Sequence, residues 1–186
     1  MNPTIIVVLV IIALLVIIPL VWFIATMNTL RQKEVKIDEA ESGIDVALTK
    51  RFDALSKLVQ TTKGYAKHEA ETFEKVVKWR AGMPKDLSIE QKEEFDSKMS
   101  DVLRGINVQV EAYPELKADR VFTNLQNSIN DVEEHLQAAR RLYNSNVSRL
   151  NQRIVTFPTS IVASMISMSK KSFFEAEQEK RQDVKI

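Results

Sequence analysis

The chain has 186 residues, with 26 basic and 25 acidic side chains and a formal net charge of +1. A protein that binds nucleic acid mainly through phosphates needs a surplus of basic residues, so this balance argues against a nucleic-acid partner. The absence of cysteine excludes thiolate catalysis and thiolate metal sites. Only four glycines and five prolines occur, which indicates long regular elements with few turns.

The first predicted element is a run of 21 residues, 5–25, without a charge, an amide or a hydroxyl. As an α-helix it would be roughly 32 Å long, enough to cross the hydrocarbon core of a bilayer. The run is longer than the apolar region of a signal peptide, and no small-x-small cleavage pair follows it. We therefore predict a retained membrane anchor over residues 1–28. The residues expected within the bilayer are Ile5, Leu9, Ile12, Val16, Pro19, Trp22 and Phe23.

Basic residues set the expected orientation of this anchor. None precedes the apolar run, whereas Arg31, Lys33 and Lys36 follow it closely. The positive-inside rule therefore predicts a single-pass protein of the cell membrane, with its N-terminus outside and its helical domain in the cytoplasm.

Residues 29–157 are predicted to be all-α and to form an antiparallel up-and-down bundle of about four long helices. No proline or paired glycine separates the anchor from the first of them, so one helix can run from the bilayer into the bundle. The second is predicted over Lys67 to Ala81, between Gly64 and the residues 82–84. Ser88 and Gln91 have the spacing of a capping box for the third, which is predicted to end near Tyr113.

Apolar residues in the first three of these helices recur at steps of three and four, the spacing of one buried stripe. The predicted core positions are Ile37, Ala40, Ile44, Leu48, Leu55, Leu58, Val59, Phe73, Val76, Val77, Phe95, Met99, Val102, Ile106 and Val110.

The fourth helix has the most regular pattern, the heptad seam of a coiled coil. Its seam residues are Phe122, Leu125, Ile129, Val132, Leu136, Ala139 and Tyr143. Beyond Tyr143 the stripe shifts to Val147, Leu150 and Ile154, a change that locally unwinds a supercoil.

Residues 158–186 are predicted to be a short amphipathic helix and a charged tail. One apolar face is predicted to contain Ile161, Val162, Met165, Ile166 and Met168. Two interpretations remain open: this segment folds back over the end of the bundle, or it contacts a neighbouring subunit or the membrane interface. The second interpretation predicts as contact residues Phe157, Pro158, Ile161, Met165, Phe173 and Phe174.

Motifs that carry chemistry are missing from the sequence. His68 and His135 are the only histidines, and neither belongs to a zinc-protease helix or to the paired Glu-x-x-His motifs of a di-iron bundle. The sequence contains no glycine-rich phosphate loop and no nucleophile elbow. We therefore predict a protein that is not an enzyme, with no catalytic residues, no metal and no cofactor.

Two blocks of residues resemble the signature of a known family. The first contains Ile44-Asp45-Val46, Leu48, Lys50-Arg51, Asp53 and Leu58-Val59, followed by Lys63-Gly64-Tyr65-Ala66-Lys67-His68-Glu69. The second contains Tyr143-Asn144, Val147, Asn151, Phe157-Pro158 and Phe173-Phe174. In these blocks the chain is similar to the bacterial LemA family. It departs from the family at Ser56-Lys57, where Pro-Asn is usual, and at Leu150, where Tyr is usual.

The resemblance implies a long-helix antiparallel bundle on a membrane anchor, with no set of catalytic residues. The anchor, the seam of the fourth helix and the C-terminal apolar segment favour a non-enzymatic membrane protein that self-associates into a scaffold on the cytoplasmic face. The expected partners are the lipid bilayer and further copies of the chain. The alternative is a membrane-tethered adaptor whose bundle binds and regulates another membrane protein.

Overall fold

The computed structural model describes residues 3–62, 67–81 and 87–175, and all the regular secondary structure in these ranges is helical. The helices are α1 (Pro3–Thr62), α2 (Lys67–Ala81), α3 (Ile89–Val110), α4 (Pro114–Lys117), α5 (Arg120–Val155) and α6 (Thr159–Met165). This confirms the all-α class. The chain divides into two compact units: unit 1 contains Met1–Glu39 and Ser145–Lys171, and unit 2 contains Ala40–Asn144 and Ser172–Ile186. The domain limits at residues 28 and 157 stay predictions.

Helix α1 is 60 residues long and includes both the apolar run and the first predicted bundle helix. Pro19 lies inside α1 without ending it. A membrane helix tolerates such a proline, because neighbouring groups satisfy the carbonyl that its missing N–H leaves free. The predicted break at Gly64 and the predicted stop at Gly82-Met83-Pro84 lie outside the described residues.

The directions of three long helices in unit 2 follow from side-chain contacts. Lys92 of α3 bonds to Glu41 of α1, and Asp96, one turn further along α3, bonds to Arg51 of α1. Residue numbers rise together in these pairs, so α1 and α3 are parallel. Asp96 also bonds to Arg140 of α5, while a later residue of α3, Asn107, accepts from an earlier residue of α5, Gln126, at 2.8 Å. Helix α5 is therefore antiparallel to α3, as an up-and-down bundle requires.

The predicted core positions of the first three helices are buried, with one exception. Val77 on α2 is exposed, whereas Phe73 and Val76 of the same helix are buried. On α5 the seam residues Phe122, Ile129, Leu136 and Tyr143 are buried, and the three between them are half-buried. The stripe therefore faces the core, and pairing as a coiled coil stays a prediction.

Side-chain caps begin helices α3 and α5, and the sequence pattern predicted the first of these caps. Ser88 accepts from the Gln91 N–H, and the Gln91 side chain accepts from the Ser88 N–H, which confirms the capping box. Helix α3 ends at Val110, slightly before the predicted end, and Pro114 begins the short α4 instead of only following a helix. Asp119 caps α5 by accepting from the N–H groups of the second and third residues beyond it.

Helix α6 in unit 1 ends in a Schellman motif. The Met168 N–H donates to the Ala163 carbonyl at 2.9 Å, and the Ser167 N–H donates to the Ser164 carbonyl at 3.1 Å. Ser167 has a φ of 54°, the left-handed conformation that this motif requires and that glycine usually supplies. The serine therefore bears a conformational cost that glycine would not.

Replacing Ser167 with glycine is expected to raise the free energy of unfolding by about 0.5–1 kcal/mol. The substitution removes the strain of a left-handed serine, and this gain exceeds the larger entropic cost of folding a glycine. Chemical denaturation of the detergent-solubilised protein measures the change. Ser169→Gly is the matched control, since Ser169 has no positive φ. Equal destabilisation by both substitutions would contradict the assignment of strain to Ser167.

Candidate functional site

The apolar part of α1 is uncovered by the rest of the described chain. Residues 3–22 are all exposed, and the segment is long and apolar enough to cross a membrane. A core helix of a soluble protein passes the same test of length and composition but is mostly buried. The structure places the seven predicted membrane residues on this helix: Ile5, Leu9, Ile12, Val16, Pro19 and Trp22 are exposed and Phe23 is half-buried.

Packing against α1 in unit 1 begins at Phe23. Phe23, Thr26 and Met27 are half-buried, and Leu30 is buried. Further along, the Asn146 side chain of α5 donates to the Lys36 carbonyl at 2.9 Å. Within unit 1, packing therefore covers α1 from Phe23 onward and leaves residues 3–22 exposed.

The α5–α6 corner, defined as residues 155–165, presents apolar side chains to solvent. Val155, Phe157, Pro158, Ile161 and Met165 are exposed, and the exposed fraction of Phe157 is 77%. Ile161 and Met165 are four residues apart, so they lie on the same side of α6.

The adjoining side of α6 is buried through Val162 and Ala163. The apolar surface of α6 is therefore divided: Val162 and Ala163 lie in the core, whereas Ile161 and Met165 are exposed. The helix is also too short to include Ile166 and Met168, since it ends at Met165.

Basic residues precede and follow this corner along the chain within unit 1. Residues 145–171 include four basic and no acidic side chains. The pKa of Lys33 is lowered by burial and by the nearby charges of Arg153, Arg149 and Lys36. Among the described residues, no carboxylate lies at ion-pair distance from Lys33, Lys36, Arg149 or Arg153. They form a group of like charges that would favour an anion.

Glu34 is the paired carboxylate on the same stretch of α1. It lies 2.9 Å from Arg31 and 3.2 Å from Lys171. The hydrogen bond from Arg31, then that from Lys171, lowers the pKa of Glu34.

Asparagine side chains hold the extended segment that follows α6. In unit 1, the Asn151 amide donates to the Lys171 carbonyl at 2.9 Å and accepts from the Lys171 N–H at 3.0 Å. In unit 2, Asn144 makes the same pair of bonds with Phe174, both at 2.8 Å. A side-chain amide thus takes the role of a neighbouring strand. The resemblance included both asparagines, but only the structure shows what they do.

Phe174 belongs to the core of unit 2. Its ring is 4% exposed, and the Arg140 guanidinium lies 4.6 Å from the ring centroid. Phe173 is 45% exposed. Because Phe174 is buried within its own chain, its ring does not form the external contact that the sequence suggested.

A group of buried charges joins α1, α3 and α5 in unit 2. Arg51 and Arg140 both bond to the Asp96 carboxylate, and Arg51 also lies 3.1 Å from Glu133. Lys92 is buried between two carboxylates of α1, each at 2.7 Å. Buried charges are tolerated when they are paired in this way. Their role is to hold the three helices in place, and sequence periodicity gave no sign of them.

An open groove of about 370 Å³ lies between α1 and α5 in unit 2. Its lining residues are Ser42, Gly43, Val46, Ala47, Lys50, Val132 and His135. A Cβ built on Gly43 would lie 3.9 Å from the Ala139 Cβ, an ordinary contact. Packing within the chain therefore does not require glycine at this position.

In the part of the chain that the structure describes, no group of acidic or histidine residues could hold a metal ion. His135 is exposed at the edge of the groove. His68 lies in α2, and its side chain is outside the described residues.

These observations define a class, the all-α proteins that combine a helical bundle with an N-terminal apolar helix of membrane-spanning length. A family model described as "LemA family" matches residues 40–186, so the chain belongs to the LemA family. A relative named Protein LemA, from Metamycoplasma hominis, is 28% identical over 163 residues, which cover 87% of this chain and 74% of that protein. The family that the sequence resembled is thereby confirmed.

Proposed function

We propose that this protein is a non-enzymatic, single-pass membrane protein that self-associates into a scaffold on the cytoplasmic face. One observation carries the proposal: α1 joins an exposed apolar segment of membrane-spanning length to a helix of the bundle without a break. An apolar segment of this size is costly to leave in water, and insertion into lipid removes that cost. The basic residues that follow the segment support the cytoplasmic side.

Self-association is supported by confinement and by one surface. Anchors restrict all copies to a plane, which raises their local concentration, so weak contacts suffice. The surface is the α1–α5 groove, where Val46 is 53% exposed. Gly43 within a helix costs about 1 kcal/mol relative to alanine. Since packing inside the chain does not require this glycine, we infer that the space above it receives a side chain from a second copy.

A Val46→Cys variant tests this surface directly, because the chain contains no other cysteine. We expect oxidative crosslinking in membranes to give a dimer at twice 21.3 kDa. Val108→Cys, on an exposed site of α3, is the matched control and should remain monomeric. Equal crosslinking of the two variants would contradict a specific contact at the groove.

Gly43→Ala in the Val46→Cys background gives a second test. We expect the bundle to become more stable by up to about 1 kcal/mol, because alanine is the better helix former. We expect the dimer yield to fall, because the added methyl group occupies the groove. A variant that is stabilised and still forms the full amount of dimer would refute the groove as the contact.

The second candidate function is an adaptor that presents the same groove to a different membrane protein. Crosslinking in cells distinguishes the two functions. Products at multiples of 21.3 kDa support self-assembly, whereas one product of another mass supports the adaptor.

A further inference from the structure

We propose that the α5–α6 corner is a second membrane contact of unit 1: Phe157, Ile161 and Met165 insert into the interface of the bilayer that α1 enters, and neighbouring cations bind anionic lipid headgroups. The inference rests on the proposed membrane anchoring. It assigns the exposed side of α6 to lipid instead of to a second copy of the chain.

The level of the corner along α1 is the first argument. The contact between Asn146 and Lys36 aligns α5 with α1 inside unit 1. The two helices run in opposite directions there, because Arg149 and Arg153 of α5 are the residues whose charges act on Lys33. Both helices rise about 1.5 Å per residue, so Val155, nine residues beyond Asn146, lies level with Met27, nine residues before Lys36.

Met27 lies just beyond the apolar run, whose last residue is Ala25. Two residues of helix correspond to about 3 Å. Trp22 and Phe23, at the end of the same run, are the kind of aromatic side chains that settle at the headgroup level. The end of α5, and the turn that begins there, therefore lie at the surface of the membrane.

The exposed apolar side chains are the second argument. The corner exposes four large apolar residues, Val155, Phe157, Ile161 and Met165. The contact of α6 with the core does not need them, because Val162 supplies it. Apolar side chains exposed at the level of the headgroups are typical of interfacial helices, whose apolar side enters the lipid by about 5–10 Å.

Charge is the third argument, and it specifies anionic lipid. The chain as a whole is balanced, but residues 145–171 have four basic and no acidic side chains. Arg149 and Arg153 are exposed on the last turns of α5, next to Lys33. An anionic leaflet attracts basic residues near its surface, with an effect of about fivefold in partitioning for each residue.

Site-directed spin labelling of the full-length protein tests the proposal, because single cysteines are unique in this chain. Ile161→Cys and Met165→Cys are labelled after reconstitution into vesicles of phosphatidylcholine and phosphatidylglycerol. Collisions with dissolved oxygen and with a water-soluble nickel chelate report the depth of each label. Val108→Cys is the exposed control on α3, and Ile12→Cys reports the anchor.

We expect the labels at 161 and 165 to favour oxygen, at a depth of about 5–10 Å, and the label at 108 to favour nickel. Nickel access at 161 and 165 equal to that at 108 would overturn the inference. Shielding from both reagents, with spin–spin broadening that disappears on dilution with unlabelled protein, would place a second copy on α6 and would also overturn it. Nickel access at position 12 would refute the anchor itself, a failure distinct from the other two.

Lipid charge gives the second arm of the experiment. We expect the labels at 161 and 165 to be deeper in vesicles with phosphatidylglycerol than in phosphatidylcholine alone. The double variant Arg149→Gln, Arg153→Gln should lose this difference, whereas the exposed pair Arg104→Gln, Lys117→Gln should keep it. A difference that persists in the first double variant would overturn the role of the cations.

Discussion

Replacing Asp96 with alanine is expected to lower the free energy of unfolding by about 3–5 kcal/mol, the typical cost of removing one partner from a buried ion pair. Asp96 is 7% exposed and accepts bonds from both Arg51 and Arg140. Without this carboxylate, Arg51 would keep Glu133, the hydroxyl of Ser100 and the backbone carbonyl of residue 96. Thermal or chemical unfolding of the detergent-solubilised protein measures the loss.

Asp101→Ala is the matched control, because Asp101 lies on the same helix with an exposed side chain and only a distant ion pair, at 3.9 Å to Arg104. Surface substitutions of this kind change stability by about 0.5 kcal/mol or less. If Asp96→Ala were no more destabilising than Asp101→Ala, the buried charges would not be what joins α1, α3 and α5 in unit 2.

Truncation of Phe174 to alanine is expected to cost about 3–5 kcal/mol, the usual range for a buried phenylalanine. The ring is in the core of unit 2, and the variant would also lose the contact with Arg140. The adjacent Phe173→Ala should stay within about 0.5 kcal/mol of the wild type, because that ring is exposed. Denaturation curves of the two variants, measured side by side, give the comparison. Similar losses for both would show that the two rings are not divided between core and surface.

The helical bundle was predictable from the sequence because its signals are local. A helix repeats every 3.6 residues, so one buried side leaves a pattern that can be read from apolar spacing alone. Phe122, Ile129, Leu136 and Tyr143 show this well, since all four are buried as their spacing requires. The Ser88 cap was predictable for the same reason, because its partner is three residues away.

The features that were missed depend on partners far along the chain. Arg51 and Asp96 are 45 residues apart, and a periodic pattern does not reveal which charged residues will meet. Phe173 and Phe174 are identical in type, and the Asn144 amide, 30 residues earlier, fixes the backbone of the second one. The division of α6 into a buried and an exposed side also depends on what packs against it. The spacing predicted one apolar face and did not reveal which part of that face would be buried.

The proposed function requires α1 to cross the membrane with the helical domain in the cytoplasm, and cysteine labelling in intact cells tests this topology most directly. Two variants, Asn2→Cys and Lys57→Cys, are treated with a membrane-impermeant maleimide before and after permeabilisation. We expect the maleimide to react with Cys at position 2 in intact cells. We expect it to react with Cys at position 57 only after permeabilisation. Labelling of position 57 in intact cells, or of neither position before lysis, would contradict the proposed topology.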